Sequence, residues 1–285
     1  MIRKLTVMLL TGVLCLLGIT SALAVTYNEA PMLRVLVAAG ELPPVEERLP
    51  DEPKVKEVVE EIGQYGGTLH AFGTSYSSEG DDMAVSRGDT AFLLDMTMDG
   101  SIVPDLAKGY ELSDDAKTFT LYLREGAKWS DGYPFTADDI LFQFEDMLWM
   151  DEVQTWNAFK NVGKIEKIDD YTVHFGMDQP NPAMPVKMSS EIGNGIYCFA
   201  PKHYLEKWHI KYNPKADELA KEEGFDHWWE AFNYHQWFAP TRDLNKPTMS
   251  SWVPKEYTGT TKVFERNPYF YQVDEEGNQL PYTIG

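Results

Sequence analysis

The chain has 285 residues, of which 45 are acidic and 25 are basic, giving a formal net charge of −20 at pH 7. A surface with this charge repels nucleic acids and anionic lipid headgroups, so no nucleic-acid partner is expected. The length allows one large or two ordinary domains. The aromatic content of 13%, with 8 Trp, is typical of a protein that encloses a cleft or stacks on ligands.

The N-terminus has the pattern of a secretory signal peptide. Arg3 and Lys4 give a positive start, an apolar run extends from Leu5 to Ile19, and Ala22-Leu23-Ala24 is a small-x-small cleavage site. The run is short for a stable membrane span. We therefore predict a signal peptide over residues 1–24, cleaved after Ala24, with a retained membrane anchor as the alternative.

The two cysteines predict neither a disulfide nor a lipid attachment. Cys15 lies inside the apolar run, and the residues before it do not form a lipoprotein site. Removal of residues 1–24 leaves Cys198 alone, so core packing must hold the mature chain together. Removal also takes away two positive charges and makes the net charge −22. We interpret Cys198 as a small, buried apolar residue.

Residues 25–64 are rich in Pro and Glu and show no sustained period, so we expect an extended, poorly folded arm that lies on the domain. Gly66-Gly67 then breaks the chain before a short predicted strand, Thr68 to Phe72. The small polar residues from Gly73 to Gly80 predict a loop.

The middle of the chain has the clearest periodicity. Thr118 to Arg124 alternates, with Phe119, Leu121 and Leu123 on one side, and Tyr171 to Met177 alternates in the same way, so both predict strands. Between them Thr136 and Asp139 form a capping box that opens a helix. The apolar face of this helix is predicted to consist of Ile140, Phe144, Met147 and Leu148.

The last third mixes short helices and strands. Successive patterns predict a strand at Gly195–Phe199, a helix from Pro201, a solvated helix at Lys215–Glu223, an aromatic helix at Asp226–Phe238, a strand at Lys262–Glu265 and a turn at Asp274–Asn278. No internal repeat and no regular βαβ alternation are present. The predicted fold class is α+β, or irregular α/β.

Motifs for metal, phosphate and nucleophilic chemistry are missing from the sequence. It has no HExxH pair, no phosphate loop and no G-x-S-x-G elbow, so no metal, cofactor or catalytic residue is predicted. Carboxylate pairs are abundant, which leaves a secreted glycosidase open as an alternative of another class.

Four segments of the chain resemble segments of the family 5 extracellular solute-binding proteins and occur in the same order as in that family. These proteins are the receptors of peptide-type ABC importers. The resemblance covers roughly residues 66–285 and rests on Pro104–Ala107 with Tyr110-Glu111, on Phe119–Arg124 with Lys128–Gly132, Pro134 and Thr136–Asp138, on Ala200–Tyr204, and on Glu265–Phe270 with Leu280–Tyr282. We expect the signature residues to build the scaffold, with Arg124 and Asp138 paired across the corner.

The resemblance implies a periplasmic-binding-protein-like lobe of the large three-domain type. It suggests a first lobe made of residues 65–100 and 185–285, with a small inserted domain at 101–184 that carries the signature. Family members continue into a second lobe and bind ligand between the two. The chain stops at Gly285, so we expect an N-terminal portion, a fragment from which the second lobe is missing.

The resemblance also implies a role. The chain is expected to be the substrate-binding component of an ABC importer, not an enzyme, which captures oligopeptides or dipeptides in the periplasm as a monomer and delivers them to the permease. Oligosaccharides, nickel chelates or haem remain alternative solutes on the same scaffold. A fragment that binds no ligand is a further alternative.

Three regions are implied to form the first-lobe side of the ligand cleft. Hydroxyl groups and Trp side chains at these positions would suit an extended peptide, which needs hydrogen-bonding partners and roomy side pockets. The candidate ligand-binding residues are Thr74, Ser75, Ser77, Ser78 and Glu79 after the opening strand, Trp156 near the end of the signature helix, and Thr248, Met249, Ser250 and Trp252 before the R-N-P strand.

Overall fold

A computed structural model describes residues 26–70, 91–153, 159–189, 195, 198–237 and 242–282. The predicted signal peptide lies outside these residues. The α-helices are α1 (Pro31–Ala38), α2 (Val45–Arg48), α3 (Ala137–Gln143), α4 (Met184–Lys187), α5 (Lys202–Leu205), α6 (Ala216–Glu222) and α7 (Trp228–Gln236). The strands are β1 (Lys54–Lys56), β2 (Leu94–Met96), β3 (Ile102–Pro104), β4 (Ala107–Leu112), β5 (Thr118–Leu123), β6 (Val162–Asp169), β7 (Thr172–Met177), β8 (Trp252–Tyr257), β9 (Lys262–Arg266) and β10 (Gln272–Asp274). Within the described ranges, no helix combines the length and the apolar content needed to cross a bilayer.

A four-stranded antiparallel sheet in the order β4-β5-β7-β6 supports the main core. Phe119 pairs with Phe175 and Leu121 pairs with Val173 across β5 and β7, and all four side chains are fully buried. Both predicted strands and their inward faces are therefore confirmed. Thr120, predicted to face outward, is only 8% exposed, so β5 is covered on part of its second face as well.

The predicted helix start at Thr136 is confirmed. The Thr136 hydroxyl accepts a hydrogen bond from the Asp138 N–H, and the Asp139 carboxylate accepts one from the Thr136 N–H, which completes the capping box. The helix α3 continues as a π-helical turn over Phe144–Leu148. The predicted apolar face is buried along its length: Ile140, Phe144, Met147 and Leu148.

A second cluster of buried residues forms a helical layer from α5, α6, α7 and the 3₁₀ turn Glu206–Trp208. Trp208 and Phe232 are among its fully buried side chains. The predicted helices at Lys215–Glu223 and Asp226–Phe238 are confirmed in shorter form as α6 and α7, and the helix predicted from Pro201 is confirmed as α5. The one predicted to be solvated, α6, still buries one face through Ala216 and Ala220.

The arm over residues 25–64 is not extended along its described length, and this expectation is wrong. Pro31 opens α1 at a position where its missing N–H costs nothing, and β1 pairs in parallel with β10. Arg48 is fully buried, where its Nε donates to the Pro43 carbonyl (3.0 Å) and its Nη1 to Gln279 Oε1 (2.8 Å). The arm does lie against the rest of the chain, through contacts that local sequence patterns do not encode. The predicted domain boundaries stay predictions.

One predicted ion pair is also wrong, and two predicted strands are not formed by those of their residues that the structure describes. Residues 68–70 form no strand, and 71–72 lie outside the described residues. Gly195 and the described residues 198–199 are likewise not in a strand. Arg124 does not pair with Asp138. Its Nε donates to the Asp105 carbonyl and its Nη1 to the Glu52 carbonyl, both at 2.7 Å, whereas Asp138 pairs with Lys167 at 3.1 Å. Backbone carbonyls brought in by the fold offer the buried guanidinium nearer partners.

Candidate functional site

Of the three regions predicted to face a ligand, the segment 248–252 lies within the described structure. Thr74, Ser75, Ser77, Ser78, Glu79 and Trp156 lie outside the described residues. The geometry therefore bears on Thr248, Met249, Ser250 and Trp252, and we refer to residues 248–252 as the wall segment.

Hydrogen bonds to two distant parts of the chain hold the wall segment at both ends. The Ser130 N–H donates to the Thr248 carbonyl, and the Thr248 N–H donates to Ser130 Oγ, each at 3.0 Å. Farther along, the Asn267 side chain donates to the Ser250 carbonyl and the Asn267 N–H donates to the Ser251 carbonyl, each at 2.8 Å. The backbone of this segment is thus fixed by the structure itself, which lowers the entropic cost of binding a ligand there.

The four side chains of interest have different surroundings. Met249 is 2% exposed and belongs to the main core, where it holds the segment against the sheet. Thr248 Oγ1 accepts a hydrogen bond from the Ser250 N–H at 3.1 Å. Ser250 and Trp252 are both partly exposed, and Trp252 opens β8 opposite Arg266. The structure brings the four together on one short segment, and their contact with a ligand stays a prediction.

The signature turn that carries Ser130 is tightly packed. The Gly132 N–H donates to the Trp129 carbonyl and the Tyr133 N–H to Asp131 Oδ1. Gly132 has a φ of +87°, and a Cβ at this position would lie 2.8 Å from the Tyr269 hydroxyl. Glycine therefore suits the backbone conformation, and a side chain at this position would have to displace the Tyr269 ring. These contacts agree with a scaffold role for the signature.

Asp139 connects the signature turn to α3 and α5. Its carboxylate accepts hydrogen bonds from Trp129 Nε1 (3.2 Å), the Thr136 N–H (3.0 Å) and the Lys202 N–H (3.1 Å). Burial of this side chain is the largest influence and raises the pKa of Asp139 to about 6, against the lowering effect of these donors. The point at which the signature turn meets α3 and α5 therefore contains a carboxyl group that changes charge in mildly acidic solution.

A group of ionisable and aromatic residues in the helical layer was not predicted. His235 lies between two carboxylates, with Nδ1 at 2.5 Å from Asp243 Oδ2 and Nε2 at 2.9 Å from Glu223 Oε2. Its ring stacks on Trp208 with centroids 3.6 Å apart and planes at 19°. These residues share no motif or fixed spacing in the sequence, so no local pattern could have revealed the group.

Lys246 occupies the end of the same region. Its Nζ donates to the carbonyls of Gln236 and Trp237 at the end of α7, the first at 3.3 Å. Burial is the largest influence and lowers the pKa of Lys246 to about 8. An open depression of about 320 Å³ lies elsewhere on the helical layer, and it is lined by His203, Glu206, Lys207, Tyr212 and Asn213.

The described residues hold no group of three or more His, Cys, Asp or Glu side chains that could bind a metal ion. Cys198 is free and buried, as predicted, and burial raises the pKa of its thiol, which disfavours the reactive thiolate. Among the candidates in the wall segment, the hydroxyl-bearing Thr248 and Ser250 and the aromatic Trp252 are partly exposed.

Comparison with known proteins agrees with this picture. The model of the family described as "Bacterial extracellular solute-binding proteins, family 5 Middle" matches residues 101–283. A periplasmic alpha-galactoside-binding protein from Rhizobium meliloti (strain 1021) is 35% identical over 270 residues, which cover 86% of this chain and 36% of that protein.

Solved structures of the same kind of protein superpose on the chain. An oligopeptide-binding protein, OppA, is 39% identical with a TM-score of 0.81, and the match covers 90% of this chain and 40% of that one. A periplasmic binding protein, MelB, from Agrobacterium fabrum C58 in complex with stachyose is 30% identical with a TM-score of 0.70, and covers 91% of this chain and 41% of that one. The predicted fold is confirmed, and the chain spans about two fifths of the length of these relatives.

Proposed function

Because the chain belongs to the bacterial extracellular solute-binding proteins of family 5, we propose that it supplies the first lobe of the substrate-binding component of an ABC importer. It would bind a solute and deliver it to the permease without catalysing a reaction. The comparisons support this role, since the three relatives described above are each named as a binding protein. The absence of catalysis in this chain is part of the proposal.

The wall segment is the observation that carries the proposal. A receptor gains affinity when the groups that meet its ligand are already held in place. Hydrogen bonds from Ser130 and Asn267 hold this segment, while Ser250 and Trp252 keep part of their surface exposed. Closure of a second lobe over this surface would bury the solute between them. The predicted contacts at Thr74, Ser75, Ser77, Ser78, Glu79 and Trp156 belong to the same proposal.

We propose oligopeptides or dipeptides as the solute, in keeping with hydroxyl and backbone groups that suit an extended polar chain. A second candidate, an α-galactoside oligosaccharide, is favoured by a specific observation. Two proteins matched over 86% and 91% of this chain are an alpha-galactoside-binding protein and a binding protein in complex with stachyose. A partly exposed Trp such as Trp252 can stack on a sugar ring as well as on a peptide side chain.

Calorimetric titration of the purified protein tests both candidates. We expect heat of binding with a mixed oligopeptide pool and none with stachyose; the reverse result would establish the oligosaccharide. The variant Trp252→Ala should weaken binding by about tenfold or more, corresponding to the loss of one buried aromatic contact. Tyr257→Ala, on the exposed end of the same strand, is the matched control and should bind normally.

Two other results would reject the proposal. Binding of none of these solutes by a folded protein would identify a fragment that holds no ligand. Release of sugar from an oligosaccharide would instead identify the glycosidase alternative. Thermal unfolding of each variant separates a lost contact from a lost fold, because only the latter lowers Tm without ligand.

We also propose that the protein works in the periplasm as a monomer. The relative from Rhizobium meliloti is periplasmic by name. N-terminal sequencing of the protein released by osmotic shock should give Val25 as the first residue. A retained Met1 would support the membrane-anchored alternative.

A further inference from the structure

His235 has carboxylate partners at both ring nitrogens. Asp243 Oδ2 lies 2.5 Å from Nδ1, and Glu223 Oε2 lies 2.9 Å from Nε2. A neutral imidazole has one N–H and one lone pair, so it can donate to only one of the two carboxylates. The imidazolium form donates to both. The geometry therefore fits the protonated ring, and loss of one proton leaves a ring lone pair facing a carboxylate oxygen.

The two carboxylates have further partners that fix their positions. Trp208 Nε1 donates to both Glu223 oxygens at 2.9 and 3.0 Å, and the Tyr204 hydroxyl donates to Asp243 Oδ2 at 2.8 Å. Burial alone would raise the pKa of Asp243, but hydrogen bonds from His235, Tyr204 and the Asn245 N–H together lower it. The ring of His235 cannot turn away easily, because it stacks on Trp208.

Positive groups nearby do not replace the proton on His235. Lys246 Nζ donates to the Gln236 and Trp237 carbonyls, and its charge also acts on Asp243 through space. The Lys207 Nζ lies 4.1 Å from the centre of the Trp208 ring, and the Arg242 guanidinium lies 4.7 Å from that of Trp237. Bonding of both carboxylates by the ring depends on the His235 proton.

Asp243 lies in the turn 242–247 that leads directly into the wall segment. Asp243 Oδ1 accepts from the Asn245 N–H at 3.1 Å, and the Asp243 carbonyl accepts from the Lys246 N–H at 3.2 Å. Pro247 ends the turn, and Thr248 is the first residue of the wall segment. The turn is also tied to the end of α7 by Lys246 and by the Tyr234 hydroxyl, which donates to the Arg242 carbonyl at 2.9 Å. Loss of the contact between Asp243 and His235 would therefore loosen this turn, on the side where the wall segment begins, without releasing it.

We propose that His235 is a positioning residue, a proton-dependent latch that fastens the turn 242–247 to α7 and so holds the wall segment in place. The latch makes both of its bonds when the His235 ring is protonated, and it keeps only one of them when the ring is neutral. The consequence for solute affinity rests on the proposed function, whereas the latch itself does not.

Thermal unfolding at pH 5.5 and pH 8.0 tests the latch without any ligand. Wild type should have a higher Tm than His235→Gln at pH 5.5, and this difference in Tm should be about 2–4 °C smaller at pH 8.0. His174→Gln, on β7, is the matched control and should run parallel to wild type. Subtracting the Tm of each variant from the Tm of wild type at the same pH removes the contribution of other histidines, such as His203 beside Asp131.

Amide exchange in the wild-type protein gives a second readout that needs no variant. After correction for the intrinsic effect of pH, exchange at residues 242–250 should accelerate from pH 5.5 to 8.0 more than exchange at residues 118–123. Parallel Tm curves for wild type and His235→Gln, or equal exchange in the two segments, would overturn the latch. Failure to bind any solute, with these two results intact, would count against the proposed function alone.

Discussion

The sheet region and the helical layer bury their side chains in different ways. The main core under β4–β7 is built from aliphatic and aromatic side chains, with the ionisable Asp139 at its corner. The helical layer encloses a histidine ring as well. His209 is fully buried, with Nε2 donating to the Asp146 carbonyl at 3.1 Å and Nδ1 accepting from the Lys211 N–H at 3.2 Å. Burial lowers the pKa of His209 and keeps it neutral. The sheet region thus has a buried carboxyl group at its corner, whereas the helical layer has a buried neutral imidazole within it.

The largest expected effect tests whether the two regions unfold together. Phe175→Ala in the sheet and Phe232→Ala in the helical layer each remove a fully buried ring, so each should cost about 3–5 kcal/mol of unfolding free energy. Denaturant titration followed by far-UV circular dichroism and by Trp fluorescence should give coincident transitions for both variants. Separate transitions in Phe232→Ala would show two independent units. Ile168→Ala, at a 53% exposed position, is the control with an effect within about 0.5 kcal/mol.

The next effect concerns the carboxyl group of the sheet region. The pKa of Asp139 is about 6 in the folded protein and has its ordinary value of 3.8 when unfolded. The folded state therefore holds the proton more tightly, and this contribution is complete below about pH 4 and lost as the pH rises through 6. It amounts to about 2–3 kcal/mol. Asp139→Asn should flatten the stability curve between pH 4 and 7 relative to wild type, measured by urea unfolding. An unchanged slope would contradict the assignment.

A glycine in each region sharpens the comparison of packing. Gly132 and Gly224 have φ values of +87° and +93°, so alanine is strained at both. A Cβ at Gly132 would lie 2.8 Å from the Tyr269 hydroxyl, whereas a Cβ at Gly224 would have no heavy atom within 4 Å. Gly132→Ala should therefore cost about 2 kcal/mol and Gly224→Ala about 1 kcal/mol by chemical denaturation. Equal costs would mean that Tyr269 moves aside freely.

The smallest effect is at the helix start of the signature. Thr136→Ala removes the hydroxyl that caps α3 and should cost about 1 kcal/mol. Thr118→Ala, at an exposed strand position, changes the same atoms without a cap and serves as the control. The two variants are compared by Tm, and a Thr136→Ala value equal to that of Thr118→Ala would show that the cap contributes nothing.

Local patterns predict the sheet region well because its residues follow a strict period. Along β5 the buried residues Phe119, Leu121 and Leu123 occupy every second position, and the capping box predicts where the next helix begins. The arm was missed for the opposite reason. Met32 and Val35 on α1 are exposed, so this helix shows no buried apolar stripe that a period could reveal.

The candidate site, like the arm, depends on contacts that a local sequence pattern does not predict. The wall segment was located by resemblance, but the contacts that hold it join Ser130 to Thr248, 118 positions apart. The His235 group likewise depends on Glu223, Asp243 and Trp208 meeting in space. Long-range contacts of this kind are set by the fold and leave no local signature.

The parallel pairing of β1 with β10 has a consequence for the order in which the protein forms. Arg48 reaches Gln279 across 231 positions, and Asn28 bridges to Asn278. While the ribosome is still adding residues before 270, the guanidinium of Arg48 and the edge of β1 have no such partners. The Arg48 side chain and the β1 edge therefore gain these partners only after the late segment emerges, because closing so long a loop precedes any reward from the contacts it brings.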